Sequence, residues 1–138
     1  MATLDQPQLT APAPSLVTIT HLVYGLHAIS LVIGAFGAAT VIGSFLFGWP
    51  SIIAVIINYV KRREAGGTYL ESHFRWQIRT FWYAVLWALL AALISAPLVL
   101  VFVGFLTWPV MMCILGLWAI YRVARGWLAL RDGKPMPL

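Results

Sequence analysis

The chain has 138 residues, of which 62% are hydrophobic and only 9% carry a charge, with a formal net charge of +5. A soluble domain carries roughly a quarter charged residues, so this composition excludes an ordinary soluble fold. All nine Lys and Arg residues fall in two short clusters, Lys61 to Arg79 and Arg122 to Lys134, and no Asp, Glu, Lys or Arg occurs over 6–59 or 80–121.

Residues 1–15 hold no Lys or Arg and are rich in Pro, Ala and Thr. They lack the basic start and short apolar run of a cleaved signal peptide and read as a disordered tail. The domain proper is expected over 16–130, with a short tail over 131–138. A hydrocarbon core of about 30 Å requires about 20 helical residues per crossing. The apolar stretch of about 16–60 is therefore too long for one crossing and fits two, with helices expected over about 16–36 and 40–60. The stretch over about 80–121 fits another two. Closed β-barrels are the other solution that satisfies the backbone in lipid, but their strands alternate apolar and polar residues. The run Leu86-Trp87-Ala88-Leu89-Leu90-Ala91 has no such alternation. The fold class expected is all-α, an integral membrane protein with four transmembrane helices in two hairpins.

Helix 1 carries His21, Tyr24 and His27 at three-residue steps, on roughly one side. Two histidines six residues apart on one helix do not readily clamp one ion, and no Cys, Asp or Glu stands nearby. Interhelical hydrogen bonding or interfacial placement is the expectation for both. Pro50 lies inside helix 2 and Pro97 inside helix 3, where each removes a backbone donor. Pro109 fits the first turn of helix 4, where no donor is needed. Cys113, the only cysteine, sits in an apolar helix and reads as a buried, unreactive thiol. Trp87 and Trp118 fall deep in their helices and read as packing residues.

Between helices 2 and 3 lies the segment richest in polar side chains. Gly66-Gly67 breaks the chain, and a helix restarting near Thr68 aligns Glu71, Arg75 and Arg79 at four-residue steps. Glu preceding Arg at that spacing is the favourable ion-pair orientation. His73 and Gln77 share the same spacing. The segment reads as an amphipathic juxtamembrane approach lying at headgroup level before the chain turns into the bilayer. The residues expected to bind anionic lipid headgroups or a protein partner are Lys61, Arg62, Arg63, Glu71, His73, Arg75, Trp76, Gln77 and Arg79, with Arg122 and Arg125 from the second cluster. Basic residues this few and this close to the membrane do not suit nucleic acid. Tyr59, Trp76, Trp82, Tyr83, Tyr121 and Trp127 lie close to the basic ends, as an interfacial aromatic belt requires.

The clusters also orient the chain. Lys and Arg collect in cytoplasmic loops, and four crossings put both clusters and both termini on that side. The two opposite turns, near 36–40 and 103–107, are uncharged. No nucleophile elbow, paired carboxylates or phosphate-cradling glycine loop is present, so neither enzymatic activity, a metal nor a cofactor is expected.

The run Ile56-Ile57-Asn58-Tyr59-Val60-Lys61-Arg62, a short loop, then His73-Phe74-Arg75-Trp76-Gln77-Ile78 entering a long helix, resembles a broad family of small, uncharacterised bacterial membrane proteins. That family is similar in layout to the four-helix subunit of the chloroplast inner-envelope protein-import translocon. Gln77 matches a Gln at the entrance to the third helix of many members, while Arg75-Trp76 replaces their Asn-Phe and marks a subgroup. The ending Tyr121 to Trp127 also resembles the family. The resemblance, over about 16–130, implies four helices in a bacterial inner membrane and carries no established activity beyond a hint of translocation. The functional expectation is a non-enzymatic accessory or interaction component acting through its basic, aromatic cytoplasmic face. The partners expected are anionic headgroups, with a membrane protein or a second copy of the chain. The rival is an oligomeric small-solute carrier or translocation pore, in which His21, Tyr24, Asn58, Gln77 and Ser95 converge on one path.

Overall fold

The computed structural model describes residues 9–37 and 41–137, and no side chain over 36–47. Four helices follow in chain order: α1 (Pro14–Gly37), α2 (Val41–Lys61), α3 (Leu70–Val99) and α4 (Gly104–Arg131). The described residues contain no strand. The expected turn near 36–40 and the tail residues 1–8 lie largely or wholly outside the described residues, whereas residues 14 and 15 already belong to α1.

Local chemistry sets the helix ends. Pro14 opens α1, a position where its missing N–H is not needed. At the end of α2, Lys61 meets the negative end of the helix dipole. The chain then reverses through Gly67, whose φ of 74° lies in the left-handed region that favours glycine. Thr68 Oγ1 accepts from the Leu70 N–H, and the Glu71 carboxylate accepts from the Gly67 N–H, so the start of α3 is tied to the turn by side-chain oxygens. Inside α2, the N–H of Ser51, directly after Pro50, donates to Ser30 Oγ of α1 at 2.9 Å. A side chain on the neighbouring helix thus serves a donor next to the proline.

α1 packs along α2 and α3 along α4, and α1 joins the two hairpins by packing on α4. The burial pattern is the reverse of a soluble bundle. Leu93 and Leu117 are 70% and 69% exposed, whereas Asn58 and His73 are completely buried. Thr20, Ser30, Gln77, Thr80 and Ser95 are also buried. Apolar surface this continuous is stable against lipid and not against water, and polar side chains turned inward are how membrane helices hold one another. Three segments among the described residues are long and apolar enough to cross a membrane: Pro14–Ala35, Leu70–Val99 and Gly104–Arg131. The protein is an all-helical membrane protein.

Several expectations need correction. The segment expected to lie along the membrane surface is instead the opening of α3, which runs unbroken for 30 residues, roughly 45 Å at the α-helical rise. Pro109 lies inside α4, which begins earlier at Gly104. The reason is steric: a Cβ at Gly104 would collide with the backbone of Ser95 and Val99, and this close approach lets the helix start there. Trp87 and Cys113 are exposed on the bundle surface, facing outward with the aliphatic residues, and so do not pack inside.

Candidate functional site

The polar side chains concentrate at the end of the bundle where α2 finishes, α3 begins and α4 finishes. Three ion pairs form there among the described residues: Lys61 with Glu64 at 2.8 Å, Arg75 with Glu71 at 3.1 Å and Arg131 with Asp132 at 3.4 Å. Among the described residues, Arg62, Arg63, Arg79, Arg122, Arg125 and Lys134 have no carboxylate partner. Arg62, Arg63, Arg75, Arg79 and Arg125 are exposed.

Trp76 and Arg122 organise the middle of this end. The Arg122 guanidinium lies 3.5 Å from the centre of the Trp76 ring and 5.4 Å from that of Trp118. Its Nε donates to Thr80 Oγ1 at 2.9 Å, and the Trp76 indole N–H donates to the Arg122 carbonyl at 3.1 Å. The charge is held by ring faces and a hydroxyl, which suits arginine and not lysine. Arg125 extends the arrangement outward, 5.6 Å from Trp76 and donating to the Tyr121 hydroxyl.

Beneath lies a neutral layer. His73 Nε2 is 2.7 Å from the Lys134 carbonyl oxygen, which can only accept, so Nε2 carries the proton. Nδ1 is then the acceptor, and the Tyr24 hydroxyl donates to it at 2.9 Å. The Tyr24 ring stacks on Trp127 at 6.5 Å between centroids, and Trp127 donates through its indole N–H to His21 Nδ1. Tyr24 reaches this position because residue 126 is glycine; a Cβ there would collide with the ring. The terminal segments close over the layer. Met136 donates its N–H to Ser72 Oγ at 2.8 Å, and Thr10 donates to the Gly67 carbonyl through both backbone and side chain.

The structure sorts the residues expected to face lipid or a partner into two groups. Arg62, Arg63, Arg75, Arg79 and Arg125 form the exposed rim, with Lys61, Glu71, Trp76 and Arg122 half-buried behind it. His73 and Gln77 belong to the interior and are not part of that face. Their four-residue spacing does place them on one side of α3, but it is the inward side. The histidines of α1 each bond across a helix interface, His21 to Trp127 and His27 to Ser51 Oγ at 3.1 Å.

The polar positions named for a path converge only in part. Tyr24 and Gln77 line one small cavity with His27, Trp76, Thr80 and Arg122. His21 lies in a separate groove beside Trp127. Ser95 belongs to the opposite end, beside Thr107 and Met111. Asn58 is buried on α2, and its side-chain amide has no hydrogen-bond partner among the described residues. Sequence reasoning missed the roles of Thr80, Gly126 and the 134–136 segment. Gly126, standing between the large residues Arg125 and Trp127, was the signal available.

Comparison of the chain with protein-family models, with curated proteins and with solved structures finds no match.

Proposed function

We propose that this chain is a four-crossing protein of a bacterial inner membrane, with both termini cytoplasmic, that acts as a non-enzymatic accessory component. Its basic, aromatic end engages anionic lipid headgroups and, through them or beside them, a membrane-protein partner. The observation that carries this reading is the rim of exposed arginines set around the Trp76–Arg122 stack, with too few carboxylates to neutralise it. Each basic residue near an anionic surface adds about 1 kcal/mol of attraction. What supports a fourth crossing is α2, whose 21 residues are sufficient in length and end at the same basic face. The resemblance to the small bacterial family is in keeping with this topology.

The test uses the full-length protein in nanodiscs with mixed zwitterionic and anionic phospholipid, released gently for native mass spectrometry. Wild-type protein is expected to retain anionic lipid in excess of its share of the bilayer. Replacing Arg62, Arg63, Arg75 and Arg79 with Gln should abolish that excess, and equal retention by both proteins would refute the reading. The oligomeric carrier or translocation pore is a second reading, favoured by the polar side chains gathered inside the bundle. Solute flux into vesicles, paired with self-crosslinks in native membranes, would favour it over the accessory role.

A further inference from the structure

The turn joining α3 to α4 has the composition of a bilayer core, not of a loop in water. No polar side chain occurs between Ser95 and Thr107. From Val99 to Val103 every side chain is exposed, and so are Phe105 and Leu106. Turns in water are built largely from Gly, Pro, Asn, Asp and Ser. The turn between α2 and α3 is polar in this way, with Arg62, Arg63, Glu64 and Gly66-Gly67. At the α3–α4 turn the residue with left-handed backbone, at a φ of 63°, is Phe102, where Gly or Asn would fit with less strain.

We propose that this turn ends inside the bilayer, capped by the acyl chains of the far leaflet, and does not emerge into the water on that side. Length supports it first. Arg79 on α3 and Arg122 on α4 are the charged residues nearest the turn. From Arg79 to the end of α3 at Val99 the helix rises roughly 30 Å, and from Gly104 to Arg122 α4 covers roughly 27 Å. The hydrocarbon core is about 30 Å thick. With both arginines at the headgroups of the basic side, no length remains to lift the tip into water, and any tilt draws it deeper. The backbone supports it second. The N–H groups of Leu100, Val101 and Phe102 donate to the carbonyls of Pro97, Leu98 and Val99, and those of Leu106 and Thr107 both donate to the Val103 carbonyl at 3.0 Å. A turn that satisfies these donors from its own carbonyls does not need water for them, which is the condition for backbone in hydrocarbon.

Lipid, not protein, is the partner this surface fits. A protein contact is a patch with a polar rim. Here the exposed apolar surface continues from the tip along both helices, through Leu93 and Ile94 on α3 and Val110, Ile114 and Leu117 on α4. The α3–α4 hairpin therefore offers a water-soluble partner on the far side no polar group to hold, and confines such partners to the basic end. The tip is remote from the exposed arginines, so its position is independent of whether they bind anionic headgroups.

The test is the collision of a spin label with two relaxing agents: dissolved oxygen, which concentrates in hydrocarbon, and a nickel chelate, which stays in water. Full-length protein in phospholipid nanodiscs carries Cys113→Ser and one labelled cysteine, Leu100→Cys or Val101→Cys, with Ile114→Cys and Arg63→Cys as references. Labels at the tip are expected to meet oxygen several-fold more often than the nickel chelate, as the label at position 114 does. Nickel contact at the level found at position 63 would put the tip in water and overturn the proposal. Little contact with either agent would mean that protein covers the tip, and would overturn it equally. Phe102→Asn gives a second readout without a label. Asn adopts left-handed backbone more readily but brings an amide to the tip. In lipid that amide has no water, so the melting temperature in nanodiscs is expected to fall by several degrees. A rise would show relieved strain at a solvated tip and would also overturn the proposal.

Discussion

The two ends of this bundle solve the same problem by opposite means. At the basic end, α1, α3 and α4 are held in register by directional bonds: Tyr24 to His73, His73 to Lys134, Trp127 to His21 and Arg122 to Thr80. At the far end, the turn between α3 and α4 is apolar throughout, with Leu100 85% and Phe102 80% exposed. Among the described residues, the side-chain hydrogen bonds near it are loose: Thr107 to the Gly104 carbonyl at 3.3 Å, Thr107 to Ser95 at 3.4 Å and Ser95 to the Met111 sulfur at 3.9 Å. There the helices are held by close approach of backbone, with Gly104 seated on the last turns of α3. Specificity is concentrated at the end that carries charge, whereas the other end is shaped for contact with hydrocarbon.

That contrast can be broken most strongly at Gly104. Its added Cβ would meet backbone atoms of Ser95 and Val99, which cannot rotate away as a side chain can. Gly104→Val is therefore expected to destabilise the α3–α4 hairpin by about 3 kcal/mol or more, at or above the upper range for overpacking. Thermal unfolding of the purified protein in detergent reads the loss. A melting temperature within a degree of wild type would show that packing of backbone on backbone does not hold the far end.

At the basic end the sharpest probe is Tyr24→Phe, which keeps the ring on Trp127 and removes only the hydroxyl. It leaves His73 Nδ1 buried without its donor, a loss of about 1–3 kcal/mol. The variant should melt lower, and the nitrogen-15 shift of His73 Nδ1 should move because the bond that fixes its environment is gone. An unchanged His73 shift would mean that the hydroxyl does not make this bond.

How much of this was legible from sequence differs between the ends for a physical reason. Long runs without charge declare membrane helices because hydrophobic length is a one-dimensional property, so α1 and α2 were expected with nearly the right limits, whereas α3 and α4 reach beyond the uncharged stretch over 80–121 into both basic clusters. The Glu71–Arg75 pair was legible for a similar reason, since a four-residue step on a helix fixes adjacency. Which face of a helix turns inward was not legible. A helix in lipid is apolar on both sides, so periodicity gives no inward direction, and His73 and Gln77 were assigned to the surface beside Arg75. The contact between Gly126 and Tyr24 joins residues far apart in the chain, and no local pattern encodes it. At the far end, Pro109 suggested a helix start that tertiary packing at Gly104 moved toward the N-terminus.

The smallest expected effect concerns the charge that both regions of the basic end share. Arg122 is half-buried, and its guanidinium lies over the Trp76 ring and within reach of Trp118 while its Nε holds Thr80. Arg122→Lys preserves the charge and removes the flat, stackable group together with the Nε donor. The stacking contribution at such a site is about 0.5–1 kcal/mol, so stability should fall only slightly. Tryptophan fluorescence should report the change more clearly than melting, because Trp76 loses the cation over its face. Retention of anionic lipid should persist, since the exposed arginines are untouched. A variant that kept the wild-type fluorescence yet lost the lipid would reverse that division and make Arg122, not the rim, the group that meets the headgroup.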